Sequence, residues 1–256
     1  MQDIYDVVVI DSGVGGLSIV EQVRQLMPDV NLCYLADHDF FPYGTRSEKE
    51  VLERISHLVS ILNKRFSSKI FIIACNTAST VVLPKLRNSF AGATFIGVVP
   101  AIKPAALMTK TGSIALLATP ATIERPYTDK LIRDFASELN VLKLGHEALA
   151  LQAERKLKGY AVDTKLLEEI TLPLQNKEID TVVLGCTHYP FIKAELAAML
   201  PHVDNWVDPA KAIANRLQFL CDRISVAKSF QSKLLTSSTS LEYESFSLQS
   251  FKLFED

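Results

Sequence analysis

Apolar residues along this chain fall into short runs, separated by longer stretches in which they recur every three or four positions. The runs are Val7–Asp11, Leu32–Ala36, Ile70–Ala74, Phe95–Val99, Ser113–Ala118 and Thr181–Leu184. Each is too short for a helix and is predicted to be a strand. A helix is predicted from Leu17 to Met27, and another from Ser47, where Val51, Leu52, Ile55, Leu58, Val59 and Leu62 form one stripe. Further helices are expected from Thr77, from Ala121 and over Phe191–Leu200. Strands apolar on both faces that alternate with helices indicate α/β layers on mostly parallel sheets. The tail from Ser225 is Ser-rich, but it keeps a strand-like Lys233–Thr236 and apolar positions through Leu241–Phe254, so it is expected to belong to the fold.

One pattern occurs twice. The stretches FIIACNTAS (71–79) and VVLGCTHYP (182–190) each run from apolar strand to small residue, cysteine, polar pair and helix. Their cysteines are 111 residues apart, which suggests two similar α/β half-units rather than a short-period repeat. The expected division is 1–97 plus 208–256 for one unit and 98–207 for the other, with the active site in the cleft between them. Ligands of open α/β sheets collect outside the carboxyl ends of the strands, where each unit offers one cysteine.

The first strand leads into a Gly-rich turn, DSGVGGLSIV, that resembles the start of a nucleotide-binding unit. Gly13, Gly15 and Gly16 do not have the Gly-x-Gly-x-x-Gly spacing, and no Gly-Lys-Ser/Thr follows, so dinucleotide and phosphate-cradling loops are both excluded. With 256 residues, 22% of them charged and a net charge of −2, the chain advertises no basic surface for nucleic acid or anionic lipid. Acids precede the first basic residue, Arg24, and no apolar run approaches the ~20 residues of a membrane helix. A cytoplasmic protein with a small-molecule partner is expected.

The four cysteines, Cys33, Cys75, Cys186 and Cys221, are widely spaced, without Cys-x-x-Cys or a metal-ligand pattern, so neither a disulfide framework nor a metal is expected. Cys33, in a strand, and Cys221, in a helical stretch, are read as small buried apolar residues. Cys75 and Cys186 each sit between a strand's end and a helix's start, where backbone amides and the helix dipole favour a thiolate. Each is either an acid/base thiol or a packed one, with Asn76, Thr77 or Thr187 as helix cap. Asp11, at a strand tip near glycine, is a functional residue, an N-cap for the helix at Leu17 or a salt-bridged structural acid. His188, beside a thiol, can accept or supply its proton near neutrality. His38, His57, His146 and His202 have no comparable setting.

Asp11-Ser12-Gly13-x-Gly15-Gly16-Leu17, Pro42-Tyr43-Gly44, Ala74-Cys75-Asn76-Thr77-Ala78-Ser79 and Gly185-Cys186-Thr187-His188-Tyr189-Pro190 together resemble the glutamate racemase family. This is a cofactor-independent branch of the amino-acid racemase superfamily that makes D-glutamate for peptidoglycan, and thus serves cell-wall biogenesis and cell shape. The resemblance runs from Val7 to about Leu217. The aspartate-specific branch typically ends the last motif in Cys-Thr-Glu, so His188 points to glutamate. The resemblance implies that Cys75 and Cys186 are acid/base thiols on opposite faces of the substrate Cα, Asp11 supporting the first and His188 the second. Asp11, Ser12, Tyr43, Gly44, Asn76, Thr77, Thr187 and His188 would line the substrate site. A further supporting glutamate falls on Glu154, with Glu147 the alternative, because GHEALALQAERK lacks the prolines usual there. Ala36-Asp37-His38 and Ala118-Thr119 also depart from the usual Gly-Asp-Thr and Gly-Thr.

On this basis the turn after the first strand is expected to bring amides near the substrate carboxylate, with Asp11 facing the ammonium group. Inversion at Cα needs a base on one face and an acid on the other, and two opposed sulfurs supply both. No lysine motif suggests pyridoxal phosphate, so no cofactor is expected. Glutamate is the expected partner, with neither nucleic acid nor membrane, and a homodimer is left open. The alternatives are a racemase for aspartate or another acidic amino acid, a catalytically silent amino-acid-binding homologue, and a redox protein pairing the two cysteines.

Overall fold

The computed structural model describes residues 5–66, 68–175, 178–224 and 232–250, with the side chains of residues 247 and 250 left aside. Its strands form two sheets. In the larger are β1 (Val7–Asp11), β2 (Leu32–Ala36), β3 (Ile70–Ile73), β4 (Thr94–Gly97), β9 (Ser232–Thr236), β10 (Leu241–Glu242) and β11 (Ser247–Ser250), in the order β10-β11-β9-β2-β1-β3-β4. In the smaller are β5 (Ser113–Ala118), β6 (Asn140–Gly145), β7 (Thr181–Leu184) and β8 (Asn205–Val207), in the order β6-β5-β7-β8. All described pairs are parallel except β10 with β11. The protein is thus two α/β halves with mostly parallel sheets.

The continuous apolar runs follow from burial on both faces. Along β1 to β3, Val7, Val9, Tyr34 and Ile72 enter one core with α1 (Leu17–Leu26) and α10 (Ala210–Cys221). Val8, Ile10, Cys33 and Ile73 enter the opposite core with α2 (Glu48–Phe66) and α3 (Asn76–Ser89), as the two-residue period of a strand requires. The second sheet lies between α7 (Ala148–Leu157), α8 (Thr164–Gln175) and α9 (Lys193–Met199) on one face, and α4 (Ile102–Met108) and α6 (Pro126–Phe135) on the other. Cys33 and Cys221 are buried in these cores.

Ser47 starts α2 through a capping box: its Oγ accepts from the Glu50 amide at 3.3 Å, and the Glu50 carboxylate accepts from the Ser47 amide at 2.9 Å. The single helix expected from Ala121 is instead two, α5 (Pro120–Ile123) and α6, divided before Pro126, which has no amide to continue the ladder. The helix expected over Phe191–Leu200 opens with a 3₁₀ turn at Tyr189–Ile192 before α9 begins. Of the tail, the strand expected at Lys233–Thr236 lies in β9, while 225–231 and 251–256 fall outside the described residues. No described helix is long and apolar enough to cross a membrane.

Two backbone bonds align the strand ends that matter. The Ala74 amide donates to Ile10 O at 2.8 Å, and the Gly185 amide to Leu117 O at 2.7 Å. Asp11 and Cys75 therefore leave one sheet at its carboxyl edge, and Thr119 and Cys186 leave the other.

Candidate active site

These two edges face a common cleft. Asp11, Ser12, Tyr43, Gly44, Cys75, Asn76, Thr77, Cys186, Thr187 and His188 all line it, joined by Phe41 and Thr119. Glu154 is not among the lining residues but reaches His188, which is.

Cys75 is the N-cap residue of α3. The amides of Thr77 and Ala78 stabilise its thiolate, as the position predicts, yet burial outweighs them and the Asp11 charge adds to burial, so the thiol is pushed well above its ordinary range. Burial thus works against the thiolate that the helix start favours, because desolvation is the larger effect. Asp11 is fully buried. Its Oδ1 accepts from the Ser12 amide at 2.6 Å and its Oδ2 from Thr187 Oγ1 at 2.8 Å, a bond that joins the two halves. Burial still raises its pKa, against the opposing pull of His188, Thr187 and the Ser12 and Gly13 amides.

On the other side, Cys186 Sγ lies 3.9 Å from His188 Nδ1, and His188 Nε2 lies 2.9 Å from Glu154 Oε1. The Gly15 amide is also 3.2 Å from Nε2, but one nitrogen cannot both accept from Gly15 and donate to Glu154. Burial works against the imidazolium, yet the bonds to Cys186 and Glu154 and their charges outweigh it and raise His188 well above its ordinary pKa. The Glu154 carboxylate can only accept, so Nε2 carries a proton and donates to it. Burial likewise works against the Glu154 carboxylate, but His188, His38 and the Val14 amide, donating at 2.8 Å, hold its pKa far below the ordinary range. Glu147 is exposed at the start of α7, so Glu154 is the acid that meets His188.

The Gly-rich turn does bring an amide to an anion, but the anion that Val14 meets is the protein's own Glu154. A Cβ on Gly13 would run into Glu154 Oε1 and His188, and one on Gly15 into His188 and Thr187. These glycines are required by close packing against side chains of the second half. The Asp11 carboxylate is engaged by Ser12 and Thr187, whereas Asn76 is buried on the cleft wall with both ends of its side-chain amide unpartnered among the described residues.

Further contacts hold the cleft in shape. Thr77 Oγ1 is 2.9 Å from both Thr119 Oγ1 and Thr122 Oγ1, a buried hydroxyl triangle that spans the halves. Asp37 accepts from Tyr43 OH at 2.8 Å and from Arg54 at 2.9 and 2.5 Å, which fixes the Pro42-Tyr43-Gly44 loop. Three contributors receive no role from the sequence: Thr119 and His38 stand out there only in departures from the family's pattern, and Tyr243 not at all. Thr119 reaches the cleft from the end of β5, while His38 and Tyr243 stand beside Glu154. His38 is therefore not the background residue that the sequence suggests.

The Asp/Glu/Hydantoin racemase family profile matches residues 17–217. A glutamate racemase of Histophilus somni is 45% identical over 226 residues, 88% of this chain and 84% of that protein. One of Salmonella typhimurium is 47% identical over 218 residues, 84% of this chain and 77% of its own length. Among solved structures, Escherichia coli glutamate racemase, crystallised with L-glutamate and the activator UDP-MurNAc-ala, superposes with a TM-score of 0.86 at 41% identity, covering 91% of this chain and 90% of its own. A Bacillus anthracis glutamate racemase isoform has a TM-score of 0.80 at 30% identity, covering 93% and 90%.

Proposed function

As the chain belongs to the glutamate racemase family within the Asp/Glu/Hydantoin racemases, we propose that it interconverts L- and D-glutamate by proton transfer at Cα between Cys75 and Cys186. The observation that carries the proposal is that both thiols line one cleft, each with its own ionisable neighbour: Asp11 for Cys75, and His188 backed by Glu154 for Cys186. In the direction from L-glutamate, Cys186 acts as a thiolate paired with the His188 imidazolium and removes the Cα proton. Cys75, kept protonated by burial and by Asp11, delivers a proton to the opposite face. In reverse, the substrate ammonium group offsets the Asp11 charge that opposes the Cys75 thiolate. Asn76, with its amide unpartnered, and the hydroxyls of Ser12 and Thr187 are the polar groups that would meet the substrate carboxylates. The D-glutamate formed would supply peptidoglycan synthesis in the cytoplasm.

Purified protein, dialysed against chelator, should racemise both enantiomers by circular dichroism and exchange the α-proton with deuterated water, without added cofactor. Preference for aspartate across a panel of acidic amino acids, or a requirement for a metal or pyridoxal phosphate, would remove this proposal. Exchange without inversion would remove its two-thiol part.

A further inference from the structure

Glu154 has two carboxylate oxygens, and the support for His188 uses one of them. The other, Oε2, accepts from Tyr243 OH at 3.1 Å and lies 3.6 Å from His38 Nε2. Tyr243 OH is 2.8 Å from that same His38 nitrogen. A phenol has one proton, so with that proton directed at Glu154 its oxygen accepts from His38 Nε2–H. His38 Nδ1 is then the acceptor, and Thr236 Oγ1 lies 3.4 Å from it and itself accepts from the Ser238 amide at 3.3 Å. Every donor in this series points one way, toward the carboxylate. The partners are also rigid: Tyr243 is buried and stacked on Phe246 with ring centroids 4.7 Å apart. Phe41, on the cleft wall, packs between His38 and His188 at 6.2 and 5.5 Å. Tyr243 and Thr236 lie beyond residue 217, where the family match ends.

We propose that Tyr243 and His38 are positioning residues, which hold Glu154 through its second oxygen and so keep His188 oriented toward Cys186. For its catalytic consequence this rests on the racemase reading above. The ionisable groups around the pair are Cys186 and Asp11 on the His188 side, and His38, Tyr243 and Tyr34 on the Glu154 side.

Tyr243→Phe removes the donor and keeps the stacked ring. In protein carrying isotopically labelled histidine, loss of the hold on Glu154 should loosen its bond from His188, moving the His188 Nε2–H proton upfield. In the racemisation assay, kcat/KM should fall about tenfold in both directions alike, as an equilibrium near unity demands, with little change in KM. The primary isotope effect with α-deuterated L-glutamate should rise relative to that with the D-isomer, because transfer through Cys186 has become the slower step. His38→Gln keeps an N–H for the Tyr243 oxygen and should retain most activity, whereas His38→Leu should behave like Tyr243→Phe. Unchanged His188 resonances in both Tyr243→Phe and His38→Leu would overturn the positioning role, whatever the substrate is. A parent enzyme inactive on glutamate would overturn the proposed reaction instead, leaving the resonances to decide the role.

Discussion

Thr187 donates to Asp11 Oδ2 at 2.8 Å, with both residues buried, and Thr187→Val keeps the shape of the side chain while deleting that donor. A hydrogen bond to an ionised group contributes about 1.5–3 kcal/mol and stabilises the charged form, so its loss should raise the Asp11 pKa further. Asp11 in the folded state already titrates above its unfolded value, because burial disfavours the carboxylate. For such a group, stability is fullest below the unfolded pKa and is lost as pH rises through the folded pKa. Raising the folded pKa enlarges that loss on the alkaline side and leaves the acid side nearly unchanged. Urea unfolding of parent and variant, followed by circular dichroism from about pH 8 down to about pH 4, should show a deficit of about 1.5–3 kcal/mol at the alkaline end that shrinks as Asp11 protonates. A deficit independent of pH, or none at about pH 8, would mean that Thr187 does not stabilise the Asp11 carboxylate and would refute this account.

Cys75→Ala and Cys186→Ala should each lower racemisation by roughly 10²–10⁴-fold or more in both directions; near-parental activity in either would make that thiol a packing residue only. Gly15→Ala should destabilise the protein by about 1–3 kcal/mol and suppress turnover, because its Cβ meets His188 and Thr187, whereas Gly92→Ala, which meets open space, should leave both nearly unchanged. Chemical denaturation of the two variants side by side checks this. Arg54→Ala strands the fully buried Asp37 carboxylate, so it should cost about 3–5 kcal/mol, or on the order of 10 °C in Tm, and raise KM as the Tyr43 loop loosens. A Tm within a degree or so of the parent would show that Tyr43 alone suffices for Asp37.

Much of this protein is local and therefore visible in one dimension. Both-face burial makes β1, β3 and β7 continuous apolar runs, and the α2 stripe repeats with the helical period. The two cysteines stand at strand ends that the apolar runs themselves mark, which is why the half-units and the thiols could be read together. β6 escaped detection because it is an edge strand, with Asn140 and Lys143 exposed and only part of its length apolar. What the sequence could not determine depends on distance through space. Whether Glu147 or Glu154 supports His188 turns on which face of α7 meets the first half, and the anion that the Gly-rich turn serves lies 140 residues away from it. The Cys75 thiol rises rather than falls because burial, which no local pattern reports, exceeds the stabilisation by two nearby amides. His38 and Tyr243 are 205 residues apart and have ordinary neighbours in sequence; only the folded sheet, with β9 paired to β2, sets them side by side against Glu154.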